Sequence, residues 1–180
     1  NCMHDQILIE SVTKHLDHFL GETQVLHELV SGDVHIDVFH GYPSEERPFH
    51  TVVTCGMASR AMPTPEELTH FSHAELMLCL PKEWPMTQAQ WMKDEQKNYW
   101  PIALLKSLAR FPSDTSSFLT IGHTIDNQHG PFPASLIWTP VLLAFPEAFK
   151  KISLPDGRIV NLLTVIPLFS EELTCVRDLG

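Results

Sequence analysis

The stretch Ala74-Glu75-Leu76-Met77-Leu78-Cys79-Leu80-Pro81 alternates with the period of a β-strand. Successive side chains of a strand point to opposite sides, so Ala74, Leu76, Leu78 and Leu80 share one face. With His73 in front, the pattern predicts a strand over 73–80, stopped by Pro81 and Pro85, which cannot donate to a ladder. Upstream, residues 49–56 are rich in Thr and Val and predict a second strand. Val34-His35-Ile36-Asp37-Val38-Phe39 predicts a third, with Val34, Ile36 and Val38 on the buried face and His35 and Asp37 on the solvated one. Residues 25–30 are its expected partner across Ser31-Gly32-Asp33, which is turn chemistry. Neighbouring strands joined by short turns pair antiparallel.

Around this nucleus the period changes. Residues 5–20 carry Leu8, Val12, Leu16 and Phe19 at helical spacing, with Gly21 as the stop. Residues 100–111 predict a second helix, opened by Pro101 and ended by Pro112. Between the strands, residues 57–72 hold Pro63 and Pro65 and no clean period, which predicts a long loop; such loops are often functional. Residues 119–121, 136–141 and 160–168 are further strand candidates, with a turn at Pro155-Asp156-Gly157 and a last helix capped by Ser170. The order predicts one α+β domain over 1–180, a single mostly antiparallel or mixed sheet packed with helices. Leu76, Leu78, Leu104, Leu108 and Leu163 are the expected core positions.

Composition narrows the function. Twelve Lys+Arg against 22 Asp+Glu give a net charge of -10. That argues against nucleic acid and against anionic membrane surfaces, both of which need a basic face. No apolar run reaches the ~20 residues of a membrane helix. Cys2, Cys55, Cys79 and Cys175 form no CxxC pair, which points to reduced thiols in a cytoplasmic setting. Phosphate-loop, zincin and hydrolase-elbow motifs are absent, and no cofactor is expected.

Two groups of residues could still carry chemistry. His35, Asp37, His123 and Asp126 supply a possible metal-dependent or His/Asp hydrolase, because His35 and Asp37 share a strand face and His123 and Asp126 share a loop. His70-x-x-His73-x-Glu75 has metal-ligand residue types. Against both stand the scatter of the other histidines and the lack of an activated nucleophile nearby.

Several blocks in order resemble the suppressor of fused (SUFU) family. They are residues 34–39, then Glu45-Glu46-Arg47-Pro48-Phe49 and Thr51-Val52-Val53-Thr54-Cys55-Gly56-Met57-Ala58, with Arg60-Ala61-Met62 continuing. The 74–81 stretch with Trp84, Trp100-Pro101 through Leu108-Ala109-Arg110, Gly122-His123-Thr124 and Glu171-Glu172-Leu173 complete the likeness, which covers roughly 25–175. Ala58 stands where Ser is usual, Cys79 where an aromatic is common, and the histidines at 70–73 belong to no family pattern.

The resemblance implies a non-enzymatic binding protein. The animal member binds its partner as a strand-forming peptide in a groove between two domains. Bacterial relatives of one-domain length resemble immunity proteins, or antitoxins, that neutralise toxins, and the size of this chain leads to the expectation of that single-domain kind. The 57–72 loop matches the part of the family nearest the peptide groove, so Arg60, Glu67 and Phe71 are the expected partner contacts. The acidity predicts a basic toxin as partner, steered by the summed field. Glu45-Glu46 and Glu66-Glu67 lining one face beside the loop would strengthen that expectation.

Overall fold

The 74–81 stretch forms the middle strand of one sheet in the computed structural model, which describes residues 5–28, 34–125, 136–139 and 146–167. The strands are β1 (Thr23–Leu26), β2 (Asp37–Gly41), β3 (Phe49–Cys55), β4 (Ala74–Pro81), β5 (Thr124–Ile125), β6 (Leu136–Thr139), β7 (Lys151–Ser153) and β8 (Ile159–Pro167). Their order is β1-β2-β3-β4-β8-β6-β5, with β7 paired beside β8. Every pairing is antiparallel except β4 with β8. A parallel pair needs a long crossover, and the helical segment between these two strands belongs to it. The expected α+β class, with one mixed sheet packed against helices, is what the chain adopts.

Helix α1 (Gln6–Leu20) begins where the Asp5 carboxylate accepts the Leu8 N–H at 3.0 Å. It ends at Gly21, whose φ of 79° is open to glycine at little cost. Its buried stripe is Leu8, Val12, Leu16 and Leu20, while Phe19 packs edge-on against Phe149. Two short helices, α2 (Gln88–Trp91) and α3 (Glu95–Asn98), precede α4 (Trp100–Thr115). Helix α4 does not stop at Pro112 as its sequence suggests. Pro112 is buried inside the helix, so apolar packing offsets the lost N–H. The stop comes one turn later, at Ser116 in the left-handed region, with the Ser117 N–H returning to the Pro112 carbonyl.

The helices cover both faces of the sheet. On one, α4 packs over Ile36, Val38, Val52, Leu76 and Leu78. On the other, α1 packs over Phe39, Val53, Met77 and Leu162. This second layer overturns the expected solvated face of the 34–39 segment. Phe39 is buried where α1 lies over it, Asp37 is buried among His27, Glu28 and His35, and His35 is only partly exposed. Leu76, Leu78, Leu104, Leu108 and Leu163 are all buried, as expected.

Other differences are local. The 119–121 stretch is not a strand: Leu119 is buried but gives its N–H to the Met62 sulfur, and a turn follows at Gly122. The 57–72 loop contains two 3-10 turns, Met57–Ser59 and Glu66–Phe71. Of the expected 25–30 strand, β1 holds the first two residues, paired Val25 to Phe39 and Leu26 to Val38. Residues 29–33, Asp126, Cys2, Cys175 and the Ser170-capped helix lie outside the described residues. Cys55 and Cys79 are free thiols. Burial pushes the Cys55 thiol far up and the Cys79 thiol to about 11, so neither is a ready nucleophile.

Candidate functional site

The long 57–72 loop leaves the end of β3 and returns into β4, and polar side chains hold it at both ends. Glu75, fully buried on β4, points toward the loop's start. Its carboxylate accepts the Gly56 N–H at 2.8 Å, the Ala58 N–H at 3.0 Å and the Thr54 hydroxyl at 2.6 Å. Thr54 Oγ1 in turn accepts the Leu76 N–H at 2.8 Å. The first amides of a helical turn have no partner inside the turn, so Glu75 supplies the acceptor the Met57–Ser59 turn lacks. Burial pushes the Glu75 carboxyl up, against the pull of Thr54 and the amides of Ala58, Gly56 and Met57. Gly56 itself sits at φ 135°, and a Cβ there would lie 2.0 Å from the His35 carbonyl oxygen.

Two residues of the β7–β8 segment complete the clamp. Arg158 donates to the Ala58 carbonyl at 3.2 Å while bridging Asp5 at 2.6 and 3.1 Å and Asp156 through Nε at 2.8 Å. One guanidinium therefore joins the start of α1, the turn before β8 and the loop. The Arg158 bond lowers the Asp5 carboxyl below its ordinary range, against some burial. Asn161 Nδ2 donates to the carbonyls of His70 and His73 at 2.8 and 3.3 Å. Across the loop's neck the Met62 N–H donates to the Ser72 carbonyl at 2.7 Å.

Held this way, the loop's first half forms a cleft of about 300 Å³ against the C-terminal part of α4. Arg60, exposed, lines it with Met57, Met62, Pro112, Ser113 and Ser116. Glu67 is exposed on the second 3-10 turn and does not line the cleft. Phe71 is half-buried with its ring against His70, 4.3 Å between centroids, and belongs to neither core cluster. The structure thus brings Arg60 into a concave site and leaves Glu67 and Phe71 on the remainder of the loop.

The hydrolase candidates divide differently. His35 and Asp37 do meet, with His35 Nε2 2.9 Å from Asp37 Oδ1. The Asp37 carboxylate is already engaged, accepting the Glu28 N–H at 2.9 Å and lying 3.2 Å from His27 Nδ1. Glu28 accepts the Ile36 N–H at 3.1 Å and pairs with Arg110 of α4. Burial pushes the Asp37 carboxyl up, but the Glu28 amide, His27 and His35 outweigh it and hold it low. The group ties the chain after β1 to the start of β2. His123 packs against Phe118 in the turn after α4, 5.1 Å between centroids. Glu75 of the His70-x-x-His73-x-Glu75 motif is spent on the loop amides. Among the described residues no group of three or more His, Cys, Asp or Glu could hold a metal ion.

Glu45-Glu46 and Glu66-Glu67 are exposed. The first pair precedes β3 and the second follows it, and seven strand residues separate them by roughly 20 Å. Among the described residues no helix is long and apolar enough to cross a membrane.

Sequence reasoning missed Glu75, Arg158 and Asn161 as the residues that shape the site. Glu75 and Asn161 each carried a signal: a lone polar side chain inside an apolar strand, which is buried only with partners.

The family model of the suppressor of fused protein (SUFU) matches residues 32–180. Sequence comparison with curated proteins finds no match. Among solved structures, a SUFU homolog from Neisseria gonorrhoeae FA 1090 is similar with a TM-score of 0.61 and 11% identity, over 96% of this chain and 81% of that one. The Sufu–Fu complex gives a TM-score of 0.57 and 15% identity, over 94% of this chain and 77% of that one. At these identities the structures speak for the fold, and the family model, matching most of the chain, carries the assignment. The chain belongs to the suppressor of fused family.

Proposed function

We propose that this chain is a non-enzymatic protein-binding domain that takes a segment of its partner at the 57–72 loop, with Arg60 as the principal contact. The observation that carries this is the Arg60 cleft on a loop anchored by Glu75, Arg158 and Asn161. A loop fixed before binding loses little entropy on binding, and Arg is a residue type that dominates interface energies. Glu67 and Phe71 extend the contact along the same loop. A structure similar to this chain was solved as the Sufu–Fu complex, which fits a binding role.

The partner we propose is a toxin neutralised by this domain acting as an immunity protein. Support comes from the family resemblance to bacterial members and from a net charge of -10, which steers a basic partner at long range. The test starts with the tagged chain expressed in its native host and the co-purified protein identified by mass spectrometry. Arg60→Glu should weaken that complex roughly tenfold or more while the chain remains folded. A complex indifferent to Arg60→Glu, Glu67→Lys and Phe71→Ala removes the loop as the docking site. A partner that is harmless when expressed alone removes the toxin role and leaves the binding role standing.

A further inference from the structure

Strand β1 stands at one end of the sheet and pairs only with β2 among the described residues. Its sequence, Thr23-Gln24-Val25-Leu26, holds neither Pro nor a charge, the devices that usually protect an open edge. Beside this edge runs a groove of about 600 Å³ between β1 and the α2–α4 side. Leu26, Met86, Trp91 and Tyr99 give it apolar walls, and Met92, 79% exposed, stands at its rim. The walls are ordered. The Trp91 indole donates to the Pro85 carbonyl at 2.7 Å and its ring lies 5.1 Å from Tyr99. The groove shares no lining residue with the Arg60 cleft.

Lys106 of α4 lines the groove and is partly buried. The carboxylates nearest it in charge are committed elsewhere: Glu28 to Arg110 and the Ile36 amide, Asp37 to His27, His35 and the Glu28 amide. Lys106 forms no ion pair among the described residues. Burial depresses its ammonium more than Glu28 and Asp37 restore it, and Arg110 adds to the depression. An incoming carboxylate would supply the missing partner.

We propose that this groove is a second docking site, for an extended segment of a partner protein that pairs with β1 as a further strand. Alternate side chains of that segment are large and apolar and enter between Leu26, Trp91 and Tyr99, and one is Asp or Glu and meets Lys106. Strand addition takes its affinity from main-chain bonds and its specificity from pockets for alternate side chains, and the β1 edge offers both.

A display library of random dodecapeptides panned on the full chain tests this. The selected peptides should place Asp or Glu between apolar residues two positions away on either side. Binding should slow hydrogen exchange at the amides of 23–27. Lys106→Gln should weaken binding roughly ten- to hundredfold, the range for a lost hydrogen bond to a charged group. Met92→Asp, at an exposed position that leaves the fold intact, should weaken it as well and keeps the test decisive if Lys106→Gln unfolds. Failure to select any peptide, selection of basic peptides, or binding that spares both variants and the 23–27 amides overturns the proposal. So does concentration-dependent dimerisation abolished by Met92→Asp, since the occupant would then be a second copy.

Discussion

Replacing Glu75 is the sharpest perturbation the structure offers, because its carboxylate is fully buried and holds three donors at once. Glu75→Leu fills the niche with an apolar side chain and removes every acceptor. It leaves the Gly56 and Ala58 amides and the Thr54 hydroxyl without partners, at about 1–3 kcal/mol each. Relief from burying a carboxyl, and water reaching the loosened loop, offset part of this. The expected net loss is about 3–5 kcal/mol, the lower part of what three orphaned neutral donors sum to. Glu75→Gln separates charge from hydrogen bonding. Its carbonyl oxygen still accepts both amides, and its amino group donates to Thr54 Oγ1, which must then redirect its own proton. About 1–2 kcal/mol is expected. Urea unfolding at neutral pH gives both values, and hydrogen exchange at Gly56 and Ala58 reports whether the loop start has come loose. A Glu75→Leu loss below about 1 kcal/mol, or Gln no better than Leu, would refute the role assigned to this niche.

Three further outcomes follow from other residues. Gly56→Ala should cost at least about 2 kcal/mol, from the positive φ and from the overlap with the His35 carbonyl, read as a lowered urea midpoint. Leu78→Ala and Leu108→Ala should each cost about 2–5 kcal/mol, since both leave cavities under α4, and unchanged midpoints would contradict their burial. His40 should make the fold acid-labile: burial, then the charge of His50, depress its pKa from 6.5 to about 4, so the unfolded chain binds the extra proton in that window. Stability at His40 is full above pH 6.5, falls as pH drops toward 4 and levels off below it, by up to about 3 kcal/mol, and the difference in unfolding free energy between wild type and His40→Gln across that range should trace this curve.

The His40–His50 pair also shows where legibility in the sequence ends. The Lys82 carbonyl accepts from His50 Nε2 at 3.1 Å, which fixes the proton there and leaves His50 Nδ1 to accept from His40 Nε2 at 2.8 Å. Partners ten and 32 residues apart are invisible to local pattern. What local pattern does carry came through. The alternation of 74–81 located the central strand, and the Leu8, Val12, Leu16 spacing located α1 with Gly21 at its end. The errors have one cause. A period-two pattern is compatible with a single covered face, whereas here α1 covers the Phe39 side as well. A stop at Pro112 follows from its backbone cost alone, which omits the core packing that offsets it.

The same distinction separates the two surfaces. The 57–72 loop was visible because it lacks period and carries two prolines, but its rigidity was not, since it rests on Glu75, Arg158 and Asn161 reaching in from strands and turns distant in sequence. The β1 groove left no signature at all. Its walls come from β1, the segment before α2 and the helix α4, and each of their apolar residues reads locally as core. What marks the groove as more than core is the placement of Lys106, an amphipathic residue whose stem covers apolar surface while its ammonium makes no ion pair among the described residues. A structural lysine in that position would have been paired, since the cost of partial burial falls on the fold with no return. Leaving it unpaired beside an open strand edge suits a surface completed by another molecule.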